Sequence, residues 1–417
     1  MRDGNAVARP VPQAVEDPLK DLLRAGAQRL IHEAVAAELD GLLARHAGQK
    51  DHAGRAAVVR NGYLPEREVL TGIGPVRVRV PKVRSRTEER VLFRSTLVPP
   101  YVRRAKTVDA ALPWLYLKGI STGQMQEALE VLVGPDANGL SAPVVSRLKK
   151  QWLEEYRTWS KRRLEGERWV YWWVDGIYSG LRADRERLCV LVVVGVNEQG
   201  EKRFLALEDG VRESTQSWRE VLLGLKGRGL NRGPEVAVGD GAMGFWAALD
   251  EVFPKTRHQR CWVHKTVNAL NYLPKSLQPK AKAALHDIWM APVKDEAERA
   301  FDHFLTTYEA KYPKAAECLA KDRDRLLTFY DFPAEHWLHL RTTNPIESTF
   351  ATIRHRTDRA KGCVTRDTML AFTYKLSMSA QTRWHRLRGF NQLSKLITGA
   401  KFQDGTEVTE ASRRYAA

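Results

Sequence analysis

No stretch of the sequence approaches the about 18 consecutive apolar residues that a membrane-crossing helix requires, so no such helix is expected. Residues 1–17 also lack the apolar core of a secretory leader. With three acids, two arginines and two prolines they predict a frayed polar tail, extending to about residue 20. Cysteine is scarce. Cys189, Cys261, Cys318 and Cys363 are the full set, and their scatter argues against a disulfide scaffold and for a reducing, cytoplasmic compartment. Internal repeats and low-complexity segments are absent, which sets aside solenoid architectures. Negative charge is in deficit: 50 acidic residues face 67 Lys and Arg, leaving a net charge of +17.

What is present is 43% hydrophobic residues in a chain of 417, enough for two or three domains with real cores. A basic excess of this size, with an isoelectric point near 9.7, favours a polyanionic partner through direct attraction and counterion release. The basic residues cluster. Val76 to Lys106 holds eight Arg and two Lys against two Glu, and Arg341 to Arg388 holds eight Arg and two Lys against three acids. Both stretches are interleaved with apolar residues and so read as folded. Arginine dominates, which suits forked recognition of phosphate.

Along the chain, apolar residues at helical spacing from Leu23 to Leu42 predict a helix over about 18–47. Val76, Val78 and Val80 alternate with Arg77 and Arg79, a strand with one buried face and one guanidinium face. Residues 101–166 read as a small helical domain. One helix covers 104–118 with Pro113 inside it, a second runs from the Ser121 cap to about 133, and a third runs from Ser141 through Tyr156. That arrangement resembles a helix-turn-helix reader of DNA, with Arg147, Lys149 and Lys150 facing the duplex. A second region then begins with apolar strands at 169–174 and 188–196, a further one at 204–207, a helix at 218–225 and a short strand at 235–239. From Cys261 to about Trp337 the pattern is helical throughout.

Three carboxylates stand out. Asp175 and Asp240 each follow an apolar strand, and Glu347 opens a helix after Asn344 and Pro345. Singly, each has a structural reading: an Asp-Gly turn, a helix N-cap and a capping box. Together, two carboxylates at one sheet edge and a third from a nearby helix supply the oxygen ligands that Mg2+ prefers. Such a set supports two-metal phosphoryl transfer, and Arg354, Arg356, Arg359 and Lys361 just beyond Glu347 suit a nucleic-acid phosphate. Cys261 and His264 lie three residues apart on a predicted helix, with His258 just before. Two such residues fall short of the four ligands of a closed zinc site, so packing or contact with DNA is expected of His264 and Lys265. Trp172, Trp173 and Trp246 lie beside the carboxylates as candidate walls of the pocket.

RNGY at 60–63, LYLKGIST at 115–122, WVDGIY at 173–178, VGDGAMGFWAAL at 238–249, RCWVHK at 260–265 and TTNPIESTFATIRHRT at 342–357, followed by Lys361 and Gly362, occur in this order. The sequence resembles the Mutator-type transposases of bacterial insertion sequences, a family of DDE transposases, through most of its length. The resemblance implies an α/β fold: a ribonuclease-H-like catalytic core with an all-helical insertion, preceded by a mainly helical DNA-binding region. The expected divisions are a tail at 1–20, a helix and basic strand region at 21–100, the helix-turn-helix-like domain at 101–166, the core at 167–260 and 340–390, the insertion at 261–339 and a C-terminal tail at 391–417. The family's triad falls on Asp175, Asp240 and Glu347, the last two 107 residues apart.

The resemblance further implies two Mg2+ ions, with Mn2+ as substitute, held by those three residues. Cys261, His264, Lys265 and Asn344 are auxiliary. The implied reaction hydrolyses a phosphodiester at the element's end, and the freed 3′-hydroxyl then attacks target DNA. The implied partners are the terminal inverted repeats, target DNA and a second copy of the chain, in a bacterial nucleoid-associated setting without membrane. The competing readings are a ribonuclease-H-like nuclease that cuts without joining and a domesticated, non-catalytic DNA-binding protein.

Overall fold

The computed structural model describes residues 17–118, 120, 125, 129, 141–183, 186–210, 212–241, 244–344, 349–354 and 365–409. Two compact units are present, residues 1–148 and 149–417.

In the first unit the Asp17 carboxylate accepts from the amides of Leu19 and Lys20 at 3.1 and 3.2 Å. Pro18 takes the first helical position, so α1 (Pro18–Arg45) starts on a proper cap and overruns the end of the expected tail. Residues 1–16 lie outside the described residues. Four strands follow where the sequence suggested one. β1 (Val58–Tyr63) pairs antiparallel with β4 (Pro81–Ser85), and β2 (Arg67–Thr71) with β3 (Gly74–Val78). The valine–arginine alternation is realised: Val76, Val78 and Val80 are buried with Val35 and Val69, while Arg77 and Arg79 are exposed. The other strands escaped notice because they are short and carry Pro, Gly and Arg rather than a clean period of two.

α2 (Lys106–Leu117) continues through Pro113. Its Val108 and Leu112 share a core with Leu70, Met125, Leu129 and Val145. These are the first and third of the expected helices; the second falls almost wholly outside the described residues. The third, α3 (Ala142–Ser160), carries the boundary between the units, because its C-terminal half belongs to the second.

The second unit is built on a mixed five-stranded sheet. β5 (Trp169–Ala183), β6 (Glu186–Asn197) and β7 (Lys202–Gly210) form an antiparallel meander. β8 (Val236–Gly239) lies parallel to β5, and β9 (Arg257–Arg260) parallel to β8, giving the order β7-β6-β5-β8-β9. α4 (Thr215–Gly227), capped by Ser214, leads into β8, and α5 (Phe245–Val252) connects β8 to β9. Along β5, Trp169, Trp172 and Val174 belong to the core that contains Trp218 and Leu222 of α4 and Phe245 and Leu249 of α5. Tyr171 and Trp173 take the other side. The Tyr171 hydroxyl lies 2.7 Å from His336 Nδ1, and Trp173 Nε1 donates to the His339 carbonyl at 2.9 Å. β9 was missed in the sequence: RHQR is wholly polar, and its buried members are Gln259, bonded to the Arg260 and Leu326 carbonyls, and Arg260.

From Trp262 to Leu340 every regular element is helical, as expected. α6 (Trp262–Leu270), α7 (Gln278–Met290), α8 (Lys294–Tyr308) and α9 (Pro313–Ala320) are followed by short helical turns. α10 (Arg366–Gln381) packs beside β7 and α3, with Trp152 and Phe372 rings 6.0 Å apart and the Tyr156 hydroxyl donating to the Leu207 carbonyl at 2.7 Å. The segment expected as a C-terminal tail is folded over its described residues, 391–409. α11 (Leu393–Ile397) and a hairpin of β10 (Phe402–Gln403) and β11 (Thr406–Glu407) bury Leu393 and Phe402. Gly405 is bonded to Tyr330 and Ala334 through its backbone. Among the described residues no helix is long and apolar enough to cross a membrane.

Candidate active site

β5 does not end at Asp175. The strand runs on to Ala183, and Asp175 pairs with Val192 of β6 inside it. The Asp-Gly turn is therefore excluded. The parallel register of Trp173 with Val238, continued by two residues, sets Asp240 beside Asp175 where β8 has just ended. With a side-chain period of two, Asp175 shares the face of Tyr171 and Trp173. Asp240 is not a helix cap either: α5 is capped at Gly244. The Asp240 carbonyl instead accepts from Trp246 Nε1 at 2.6 Å, fixing the turn after β8.

Each carboxylate accepts a hydrogen bond from the amide of the glycine that follows it, Gly176 and Gly241. Among the described residues neither forms an ion pair. Burial, reinforced by the charge of Asp240, pushes Asp175 up to about 6, against the pull of His264 and the Gly176 amide. A third carboxylate was missed. Glu213 lies so closely against Gly176 that any side chain there would collide with its carboxylate. Burial first, then the charges of Asp175 and Asp240, push Glu213 up to about 7. Its loop, DGVRES, carries no pattern that marks it; only the fold brings it to Asp175. Its position is fixed by the backbone, since the Gly244 amide donates to the Glu213 carbonyl at 3.0 Å.

Glu347 lies outside the described residues, with Pro345, Ile346 and Ser348, as do Arg356, Arg359, Lys361 and Cys363. The approach to Glu347 is described. Asn344 is helical and exposed, and its amide donates to Thr342 Oγ1 at 3.3 Å. Residues 349–354 are helical too, with Phe350 and Ile353 buried and Arg354 exposed. Arg354 lies near enough to Asp175 to favour its ionised form. No group of three His, Cys, Asp or Glu among the described residues has a metal-binding arrangement.

Cys261 is the N-cap residue of α6 and a junction of three segments. Its amide donates to the Gly239 carbonyl at 2.9 Å, directly before Asp240. Its sulfur accepts from the Thr343 amide at 3.4 Å, and Trp262 N donates to the Arg341 carbonyl at 2.9 Å. His264 lies in the first turn of α6. The adjacent Cys261 sulfur, then Asp240 and Asp175, push its imidazole up to about 9, against the opposing effect of burial. Lys265, expected to reach a phosphate, is instead buried, its ammonium held by Asp322 and by the Cys318 carbonyl at 3.0 Å. Asp322 also takes Arg260, whose guanidinium stacks 4.0 Å from the Trp246 ring centre. A cleft of about 280 Å3 opens between Gly241 and this cluster, lined also by Asn268, Asn271 and Tyr272. Trp172 and Trp173 are wholly buried and Trp246 is covered by Arg260, so none of the three is open to a base. On α3, Arg147 and Lys150 are exposed and Lys149 is partly buried.

Residues 6–386 match the family described as "Transposase, Mutator family". The chain is similar to the transposase for insertion sequence element IST2 of Acidithiobacillus ferrooxidans, 51% identical over 67% of this chain and 95% of that protein. It is also similar to the transposase for insertion sequence element IS6120 of Mycolicibacterium smegmatis, 48% identical over 72% and 92% of the two chains. To the transposase for insertion sequence element ISRM5 of Rhizobium meliloti it is 28% identical, over 92% of both chains.

Proposed function

The chain belongs to the Mutator family of transposases, and from that membership we propose that it binds the ends of its own insertion sequence and catalyses phosphodiester hydrolysis and strand transfer through Asp175, Asp240 and Glu347. The observation that carries the proposal is the parallel register of β5 and β8, which sets two carboxylates side by side, neither of them tied up in an ion pair among the described residues. An antiparallel meander followed by two strands parallel to the first supports a ribonuclease-H-like core, and the helical stretch between β9 and Asn344 supports the insertion.

The donor set fits divalent cations. Each carboxylate has one neighbouring amide as its hydrogen-bond donor, which leaves oxygen lone pairs for the hard ligands that Mg2+ and Mn2+ prefer. Asp175 and Asp240 would hold two such ions, with Glu347 completing the set. When bound, the ions supply Lewis acidity at the attacking and leaving oxygens of the phosphodiester. The chain's part is to hold the carboxylates ionised and fixed. They are not nucleophiles, and no covalent protein–DNA link forms. Protonated His264 places a compensating positive charge beside the pair. Arg147, Lys149, Lys150, Arg354, Arg356, Arg359 and Lys361 are assigned to DNA contact. Two copies acting on paired ends follow from the same reading.

The test is excision of the element in cells, with the gene expressed beside its native flanking DNA and Asp175→Asn as control. Excised or circular junction product from the wild type alone is the expected result. No product from folded, DNA-binding wild-type protein would refute the catalytic reading and leave a DNA-binding protein or a nuclease.

A further inference from the structure

The arginines of the first unit differ in how their charge is balanced. Arg24, Arg29, Arg55, Arg77 and Arg104 each lie within 4.0 Å of a carboxylate, and Arg67 is spent on the carbonyls of Val98, Pro99 and Val102. Arg60 and Arg79 are arranged otherwise. Both guanidinium carbons lie 4.8 Å from the centre of one ring, that of Tyr63. Arg60 Nη2 also donates to the Tyr63 hydroxyl. Neither arginine has a carboxylate partner among the described residues, and all three side chains are exposed, Tyr63 at 42%.

The backbone builds this arrangement deliberately in the physical sense: the β1–β4 pairing is interrupted between Arg60 and Tyr63, and Gly62 adopts φ +71, a conformation L side chains rarely hold. The irregularity turns Tyr63 toward Arg79, the residue before Val80, whose carbonyl accepts from the Leu64 amide at 2.8 Å. Two like charges converging on one ring repel each other. The ring's negative face offsets part of that repulsion, typically about 0.5–1 kcal/mol per exposed pair. Full compensation needs an anion from outside, and planar guanidinium forks match phosphate oxygens two at a time.

We propose that Arg60 and Arg79, held on Tyr63, form a binding site for backbone phosphates of DNA. The site is separate from the residues assigned to DNA contact above, and rests on the reading that the chain binds the ends of its element. The ring restrains the two forks before DNA arrives, so less side-chain freedom is lost on binding. Arg77 is the internal comparison. It lies two residues from Arg79 on the same exposed face, but Glu68 already balances its charge at 3.4 Å.

The experiment measures fluorescence anisotropy of the full-length protein with a duplex of the native element end, across a series of salt concentrations. The variants are Arg60→Gln, Arg79→Gln, Arg77→Gln, Tyr63→Leu and Tyr63→Phe. Arg60→Gln and Arg79→Gln are each expected to weaken binding about tenfold and to lower the slope of log K against log salt by about 1. Arg77→Gln is expected to leave the slope unchanged. Tyr63→Leu should weaken binding without changing the slope, and Tyr63→Phe, which keeps the ring, should bind within about twofold of wild type. Wild-type slopes for Arg60→Gln and Arg79→Gln, or an equal loss for Arg77→Gln, would overturn the site while leaving end binding and catalysis standing. Failure of the wild type itself to bind the end duplex would overturn the underlying reading instead.

Discussion

Asp240 holds the turn after β8 through its backbone carbonyl, bonded to Trp246 Nε1, and not through its carboxylate. Asp240→Asn should therefore fold and bind DNA like the wild type while losing cleavage by at least about a hundredfold, as expected when a group that positions the reacting phosphate is removed. Thermal unfolding, end binding and cleavage measured on the same preparation check this; an unfolded Asp240→Asn protein would refute it. A second consequence concerns charge. Asp175 at about 6 and Glu213 at about 7 stand above the ordinary carboxylate values near 4. These two groups bind protons more tightly in the folded state, so their contribution to metal-free stability is lost as pH rises from about 4 to 7, while His339, which burial pushes down to about 4, and His336 and His258, also lowered by burial, contribute in the opposite sense up to about pH 6.5. His264 is pushed up to about 9 by the same Cys261 contact that lowers the Cys261 thiol, so the two oppose each other above about pH 6.5. Glu213→Gln removes one contribution. It is expected to raise the metal-free stability at pH 7.5 by on the order of 1–3 kcal/mol over wild type, at about 1.4 kcal/mol per pKa unit, with the gain shrinking as pH falls below about 7. An unfolding series with chelator present, run on wild type and Glu213→Gln side by side, checks the sign: a variant no more stable than wild type at pH 7.5 would contradict it.

Among the elements, α6 carries the sharpest prediction. Cys261 ties Gly239, ahead of Asp240, to Thr343, four residues ahead of Glu347. Cys261→Ala keeps the amide bond to Gly239 and loses the sulfur's contacts with Thr343 and His264, so overall stability should fall by about 1–2 kcal/mol. Cleavage should fall more than binding, and Cys261→Ser should restore part of it. Equal losses in binding and cleavage would deny Cys261 any part in placing the third carboxylate. α3 qualifies the expected division at residue 166. Trp152 and Tyr156 pack on Phe372 and Leu207, so the C-terminal half of the helix is part of the second unit's core. A fragment beginning at residue 142 is therefore expected to fold and to lose recognition of the element ends, which gel-shift competition against unrelated DNA would test.

These elements also show where the sequence was legible. The apolar strands β5, β6 and β7 announced themselves because both faces of this sheet are covered, and the helices from α6 to α9 through their 3.6 period. The carboxylates Asp175 and Asp240 were singled out by their places after apolar runs, although β5 in fact continues past Asp175. Glu213 and β9 were not legible. A loop acid has no periodicity, and a polar strand buried through Gln259 and Arg260 violates the pattern by which strands are read. Lys265 misled for the same reason: its buried partner Asp322 lies 57 residues away in sequence, where no local pattern could show it.

At the scale of the whole molecule, the bonds at residues 261, 262, 341 and 343 close the base of the helical stretch between them. Its two ends leave and rejoin the sheet at one place. That makes the stretch an exchangeable cassette: its length and surface can drift, or be replaced by a relative's, without altering the distance between Asp240, just past the end of β8, and Asn344. A lineage could thus change the surface beside the candidate site while inheriting the site's geometry intact.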